Sequence, residues 1–463
     1  MGLLIKNGTL VTAIDEFKAD VYCDGGTIAA IGADLSAAKK TGDEVVDAAG
    51  LYVLPGGIDP HTHFELPFMG TVSADDFESG TAAALAGGTT CVIDFAIPAK
   101  GGTLREALDQ WKEKAKKSVA DYAFHMALTD PSDVVMKEIP ELVREHGVTS
   151  FKAFMAYKGA IGVDDEALIR FMQAVNRGGG LLWLHAENGD AILERQQRFL
   201  AEGKTGPEWH EPSRPAILEG EAVQRALALA ELYEVPIGFV HMSSRDAYQA
   251  FAAARVRGQL AYAETCPQYL VLDDSVYRKP DFEAATYVMS PPIRPAGHSE
   301  WLWKGLQNGL LQTVGTDHCP FKLVGQKDMG KGDFTKIPNG GPGVENRLQI
   351  LWHFGVGGGW LTRQQFVAAT STNVARLYGM YPRKGALRVG SDADLVLWDP
   401  DASQTLSAKS QFSRCDRALY EGFKVTGAPA QVVAAGQVKF DRGSLKVEKG
   451  AGRFVARTPY SRM

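Results

Sequence analysis

The chain has 463 residues, 45% of them hydrophobic and 22% charged, with a formal net charge of −6. That is enough chain for two or three domains with large cores, and the average composition without Lys/Arg blocks excludes nucleic acid or an anionic membrane as the main partner. Five cysteines without a CxxC pair read neither as a disulfide framework nor as a thiolate zinc site, so a reducing compartment is expected.

The start, MGLLIKNGTL, lacks the apolar core and cleavage site of a signal peptide, and Lys6 stands where myristoylation needs Ser or Thr. No run approaches the ~18 apolar residues of a membrane span. A cytoplasmic protein acting on a small molecule is expected. Residues 1–55 alternate apolar and polar positions between turn signals at Asn7-Gly8, Asp24-Gly25-Gly26 and Gly50, which predicts short antiparallel strands.

From Gly57 the pattern alternates strand and helix. The strands are GGIDPHTH, TTCVIDFAI, DYAFHMAL, TSFKAFMAY, LLWLHAE, PIGFVHMS, AYAETCP and LQTVGTDHCP. Helices are predicted near 76–86, 104–117, 133–146, 164–177, 220–233, 245–257 and 300–310. Strands apolar on both faces and sheathed by helices predict parallel pairing, and eight such units predict a (β/α)₈ TIM barrel over 56–377. A doubly wound open sheet would carry a glycine-rich phosphate loop after its first strand, where this chain has HTHFELPFMG. After Arg376 strand patterns return, in DADLVLWDP and QVVAAGQVKF, so 1–55 and 378–463 are expected to join in a small β-sandwich. The fifty glycines punctuate these units.

Barrel active sites lie at the C-terminal ends of the strands. Those ends carry His61 and His63, Lys152, His185, His241 and Asp317. The HxH spacing puts both imidazoles on one strand face, and with two further histidines and an aspartate it predicts a metal site. Lys152, between Phe151 and Ala153, has two readings. It snorkels to the barrel mouth, or it is desolvated and reacts with carbon dioxide to give a carbamate whose oxygens bridge two metals.

The set GGIDPHTHF, SFKAFMAYKG, LHAEN, FVHMSS, SPPIRP and GTDHCPF resembles the hydantoinase and dihydropyrimidinase group of the amidohydrolase superfamily, and the resemblance runs nearly the length of the chain. It implies that His61, His63 and Asp317 hold a buried metal and that His185 and His241 hold a more exposed one. Carboxylated Lys152 (N6-carboxylysine) would bridge two divalent ions, with zinc the first expectation. It further implies Tyr157 as oxyanion donor and Asp317 as proton shuttle to a metal-bridging hydroxide. Ser290 and Asn339 would clasp the cyclic amide with backbone groups, and Leu66, Phe68, Met69 and Phe154 would face its exocyclic group.

The implied reaction opens hydantoins or dihydropyrimidines to N-carbamoyl amino acids, and the implied assembly is a homotetramer. Dihydroorotase is disfavoured because Glu65 stands where that enzyme carries an arginine. Allantoinase is the nearest alternative, and a non-catalytic scaffold related to dihydropyrimidinase is the alternative from another class. Cys319 reads as a packing residue near the site rather than as a nucleophile, since His318 points to the other strand face.

Overall fold

The computed structural model describes residues 2–461. Eight parallel strands form the barrel: β1 (Gly57–Thr62), β2 (Thr89–Ala96), β3 (Asp121–Ala127), β4 (Ser150–Phe154), β5 (Leu181–His185), β6 (Ile237–Phe239), β7 (Ala261–Thr265) and β8 (Thr313–Val314). Every residue of these strands is buried, as parallel strands covered by helices require. Between β8 and β1 the wall closes through backbone bonds from His63 N to His318 O (2.8 Å) and from His318 N to His61 O (3.3 Å).

Asp59 fastens the same seam. Its carboxylate accepts from His61 N and Thr316 N, both at 3.1 Å, and from Thr316 Oγ1 at 2.6 Å. LQTVGTDHCP forms a two-residue ladder rather than the long strand expected. The chain continues past it beside β7, with Gly315 N bonded to Thr265 O, but a Cβ on Gly315 would stand 2.8 Å from both Glu264 and His61, and Asp317 then turns left-handed.

Helices cover the barrel, and four of those expected from the sequence begin at a residue whose side chain accepts a backbone N–H: Asp76, Thr103, Asp164 and Ser244. A helix at Gly189–Ala201, capped by Asn188, follows β5 where none was predicted. In the helix Phe77–Ala86, Gly80 lies against the ring of Phe64, the residue after His63. A Cβ there would fall 2.1 Å from Phe64 Cε1. Gly→Ala inside a helix ordinarily stabilises by about 0.5–1 kcal/mol. Here the clash reverses the sign, and Gly80→Ala is expected to destabilise by about 1–3 kcal/mol in denaturant titration.

Apart from one two-stranded hairpin after β1, the remaining strands make one nine-stranded sheet from both ends of the chain. Its private core joins Leu10, Val21 and Val53 to Leu395, Leu397 and Val433. Two expectations for residues 1–55 are corrected. Asn7-Gly8 is no turn but a bulge within the strand Leu3–Val11, where Asn7 is left-handed and a Cβ on Gly8 would meet Val53 at 2.5 Å. That strand is antiparallel only to Glu16–Asp24; it runs parallel to Glu44–Asp47 and Tyr52–Pro55. Beyond the sheet the chain returns under the barrel. There Val455 N donates to Tyr122 O, and the buried guanidinium of Arg457 donates to Ser150 Oγ and Phe124 O.

Candidate metal centre and substrate pocket

The six strand-end residues converge. His61 Nε2 and His63 Nε2 each stand 3.1 Å from Asp317 Oδ1, Lys152 Nζ stands 2.9 Å from His61 Nε2, and His185 Nδ1 faces His241 Nε2 at 3.0 Å. His61, His241 and Asp317 offer atoms all within 4.8 Å of one another. Phe95 forms an apolar floor, its ring stacked beneath His63 and 4.3 Å from Lys152 Nζ.

Whether this set suits a cation depends on where the imidazole protons lie. His61 Nδ1 is 2.7 Å from Glu264 Oε1, and His185 Nε2 is 2.7 Å from Glu187 Oε2. A carboxylate on the outer nitrogen fixes the proton there and turns the other nitrogen's lone pair inward, the usual support of a metal-bound histidine. Glu187, although buried, is held down to about 2 by the charge of Arg214, whose Nη1 donates to it at 2.6 Å, and by its bond to His185.

Burial lowers His185 and His241 and brings His63 down to about 4, so all three are neutral donors at pH 7. Burial opposes ionisation of Asp317, but the charge of His61 and the bonds from His61 and His63 hold its carboxyl well below the usual range. Burial also brings Lys152 down to about 8, leaving a fraction of reactive amine at neutral pH. Three neutral imidazoles, a fourth at His61 that burial lowers but Asp317 and Glu264 raise, a carboxylate and a desolvated lysine around one small space fit a divalent metal, which would displace the proton of His61.

Besides Met69 at φ 49°, three of the predicted residues hold strained left-handed backbone: Tyr157 at φ 60°, His241 at φ 40° and Asp317 at φ 54°. Such conformations cost of order 1 kcal/mol each and persist where surrounding structure enforces them. They turn these three side chains into the barrel mouth just past the strand ends.

Lys152, His63, His185, His241, Asp317, Tyr157, Leu66, Phe68, Phe154, Ser290 and Asn339 all line one pocket, with His61 fully buried beneath. Phe68 sits on a two-stranded hairpin, Pro67–Phe68 with Thr71–Val72, and its ring meets that of Tyr157 edge-on at 5.9 Å. Met69 is at the turn of that hairpin, where its sulfur takes Asn339 Nδ2 at 3.8 Å. Cys319 also lines the pocket, and burial holds its thiol well above the ordinary value. His318 points away from it, bonded to Asp75.

Sequence reasoning passed over Glu264, Glu187, Arg214 and the further apolar lining residues Ile97 and Ile161. Glu187 stands two residues after His185, and Glu264 near the end of a barrel strand. Both are buried acids at strand ends, which is the signal that marked Asp317.

Residues 52–439 match the family model described as "Amidohydrolase family". The chain is 48% identical over 461 residues to a D-hydantoinase of Geobacillus stearothermophilus, covering 99% of this chain and 97% of that one. It is 45% identical over 462 residues to a dihydropyrimidinase of Arabidopsis thaliana, covering 99% and 86%. Its fold superposes on the crystal structure of dihydropyrimidinase from Brevibacillus agri NCHU1002 with a TM-score of 0.98, at 47% identity and complete coverage of both chains. With its barrel and its cluster of candidate metal-ligating side chains, the chain belongs to the amidohydrolase family and, within it, to the hydantoinase and dihydropyrimidinase hydrolases of cyclic amides.

Proposed function

We propose that the pocket opens the ring amide of 5-substituted hydantoins and of dihydrouracil or dihydrothymine to N-carbamoyl amino acids. His61, His63 and Asp317 would hold one divalent ion, His185 and His241 a second, and carboxylated Lys152 would bridge them, with zinc suited to these donors. The observation that carries this reading is the pairing of one ring nitrogen of His61 with Glu264 and of His185 with Glu187, each at 2.7 Å, which leaves the other nitrogen of each ring facing Lys152 and His241. When bound, the ions supply an activated water near neutral pH and polarise the carbonyl under attack.

Asp317 takes the proton of the attacking water and delivers it to the leaving ring nitrogen. Tyr157, its hydroxyl pushed up to about 12 by burial while Arg214 above its ring opposes the shift, stays protonated and donates to the developing oxyanion. Ser290 and Asn339 hold the ring amide through backbone groups. Leu66, Phe68 and Phe154 form an apolar wall for the exocyclic substituent. Glu65, which stands where dihydroorotase carries an arginine for its acidic substrate, pairs with Lys117 at 3.0 Å.

The proposal extends to a two-domain division, 56–377 as barrel and 1–55 with 378–463 as sheet domain, and to a homotetramer in the cytoplasm. No helix among the described residues is long and apolar enough to cross a membrane, and all five cysteines are buried and unpaired.

Purified protein is expected to open dihydrouracil and a 5-substituted hydantoin faster than allantoin, with about two equivalents of metal per chain by elemental analysis. Lys152→Ala is expected to lose metal and at least ~10³-fold of kcat/KM. Metal-replete protein that opens neither ring overturns the proposal.

A further inference from the structure

Outside the metal centre, Lys327 is a buried ammonium, 1% exposed, with no carboxylate bonded to it among the described residues. It donates to Val288 O at 2.9 Å and to Pro338 O at 3.0 Å. Burial pulls it down to about 7, with only the Cys415 and Cys319 thiols acting in the other direction. An apolar side chain would fill this position without the cost of desolvating a charge, so the ammonium calls for a task.

Its two acceptors belong to different segments, one two residues before Ser290 and the other one residue before Asn339. The neighbouring backbone groups are pinned as well. His210 Nε2 meets Met289 O at 2.7 Å, Tyr269 Oη donates to Pro291 O at 2.7 Å, and Gly340 N donates to Val288 O at 3.0 Å. Between these pins, the N–H and C=O groups of Ser290 and Asn339 have no backbone or side-chain partner among the described residues, and both residues line the pocket. Lys327 is, among the described residues, the one side chain bonded to both segments.

We infer that Lys327 is a positioning residue that fixes the spacing of the Ser290 and Asn339 backbone groups and thereby sets how tightly the substrate's ring amide is held; the inference rests on the clasp proposed above. A lysine amino group suits the task because its single tetrahedral nitrogen donates to both carbonyls at once, with charge assistance in the protonated form. The preceding residue, Gln326, donates to Thr71 Oγ1 at 2.8 Å and to Val72 O at 2.7 Å on the hairpin. One short turn therefore holds the apolar wall on one side and the clasp on the other. Backbone groups that meet the ring equally before and during attack bind ground state and transition state alike, so loosening them shows in KM rather than in kcat.

The test uses the full-length, metal-replete enzyme with a 5-substituted hydantoin as substrate and its singly N-methylated analogues as competitive inhibitors. Lys327→Met is expected to raise KM about tenfold with kcat within about twofold and metal content unchanged. Lys327→Arg restores at least part of that loss, and the penalty the parent shows against N-methylation shrinks in Lys327→Met. Unmoved KM and an unmoved penalty overturn the inference, as does a fall in kcat and metal content at constant KM. A parent that ignores N-methylation instead overturns the clasp beneath it. If Lys327→Met does not fold, Lys327→Gln, too short to reach both carbonyls, takes its place with the same outcomes.

Discussion

Asp317→Asn is expected to reduce turnover of cyclic amides by at least ~10⁴-fold while the fold persists. The backbone tolerates the change, because Asp317 sits at φ 54° and asparagine, like aspartate, occupies that left-handed region readily. The chemistry does not tolerate it. Oδ1 stands 3.1 Å from both His61 Nε2 and His63 Nε2, and the residue lines the pocket, so one carboxylate is both a donor to the metal centre and the proposed proton carrier. An amide of the same shape has no basic oxygen to accept the proton from water. Ring opening followed by ultraviolet absorbance, beside a thermal melt and elemental analysis, separates the outcomes. Activity within ~100-fold of the parent at normal metal content would remove Asp317 from the proton path.

The second large effect falls at the opposite end of the barrel and bears on stability. Lys384 is 2% exposed, and its Nζ contacts Asp121 at 2.6 Å, Asp392 at 3.0 Å and Asp394. Arg453 adds contacts to Asp121 at 2.8 Å and Asp392 at 3.3 Å. Asp121 opens β3, whereas Asp392 and Asp394 lead into the strand Leu395–Thr405, so the cluster rivets the sheet to the barrel. Lys384→Met leaves buried carboxylates without their central cation and is expected to cost about 3–5 kcal/mol in denaturant unfolding, with kcat/KM of the folded enzyme unchanged.

The pH dependence of that loss has a definite sign. Burial works against ionisation of Asp121, but the charge of Lys384 and the bonds from Arg453 carry it below the ordinary carboxylate value, while the carboxylates hold Lys384 above the ordinary lysine value. Stability from a depressed acid is present above its unfolded pKa and lost as pH falls; stability from a raised base is present below its unfolded pKa and lost as pH rises. The variant's deficit is therefore greatest between about pH 4 and 10.5 and shrinks in stronger acid. A deficit that grows below pH 4 would refute the assignment.

The order of strands and helices in the barrel was legible because the apolar period switches where the chain switches element, as at Asp76, where a capping side chain begins a helix. The site was legible because polar residues at strand ends are conspicuous among apolar neighbours. Pairing direction was not, since alternation in Leu3–Val11 reads the same against a parallel or an antiparallel neighbour. The helix Gly189–Ala201 was not legible although Asn188 caps it, because a barrel unit ordinarily carries one helix between strands and the pattern over 220–233 already fills that place. Glu264 and Glu187 were missed for a deeper reason: an acid that orients a histidine touches no ligand, and its role appears only when the ring it faces is placed.

The strap beneath the barrel bears on how the chain reaches its fold. Arg457 bonds to Phe124 O and Ser150 Oγ, more than 300 positions earlier, and Val455 extends the edge at Tyr122. The eight strands are therefore expected to complete their lower rim only after the C-terminal strap has been made. Their lower rim stays open, with Tyr122, Phe124 and Tyr378 deprived of the Phe454 ring and the Arg457 guanidinium they pack against, until residue 457 has left the ribosome. Long-range closure of this kind slows folding and prolongs exposure of apolar edges. A chain truncated after residue 440 is expected to be protease-sensitive at β3 and β4 while the full-length chain is not.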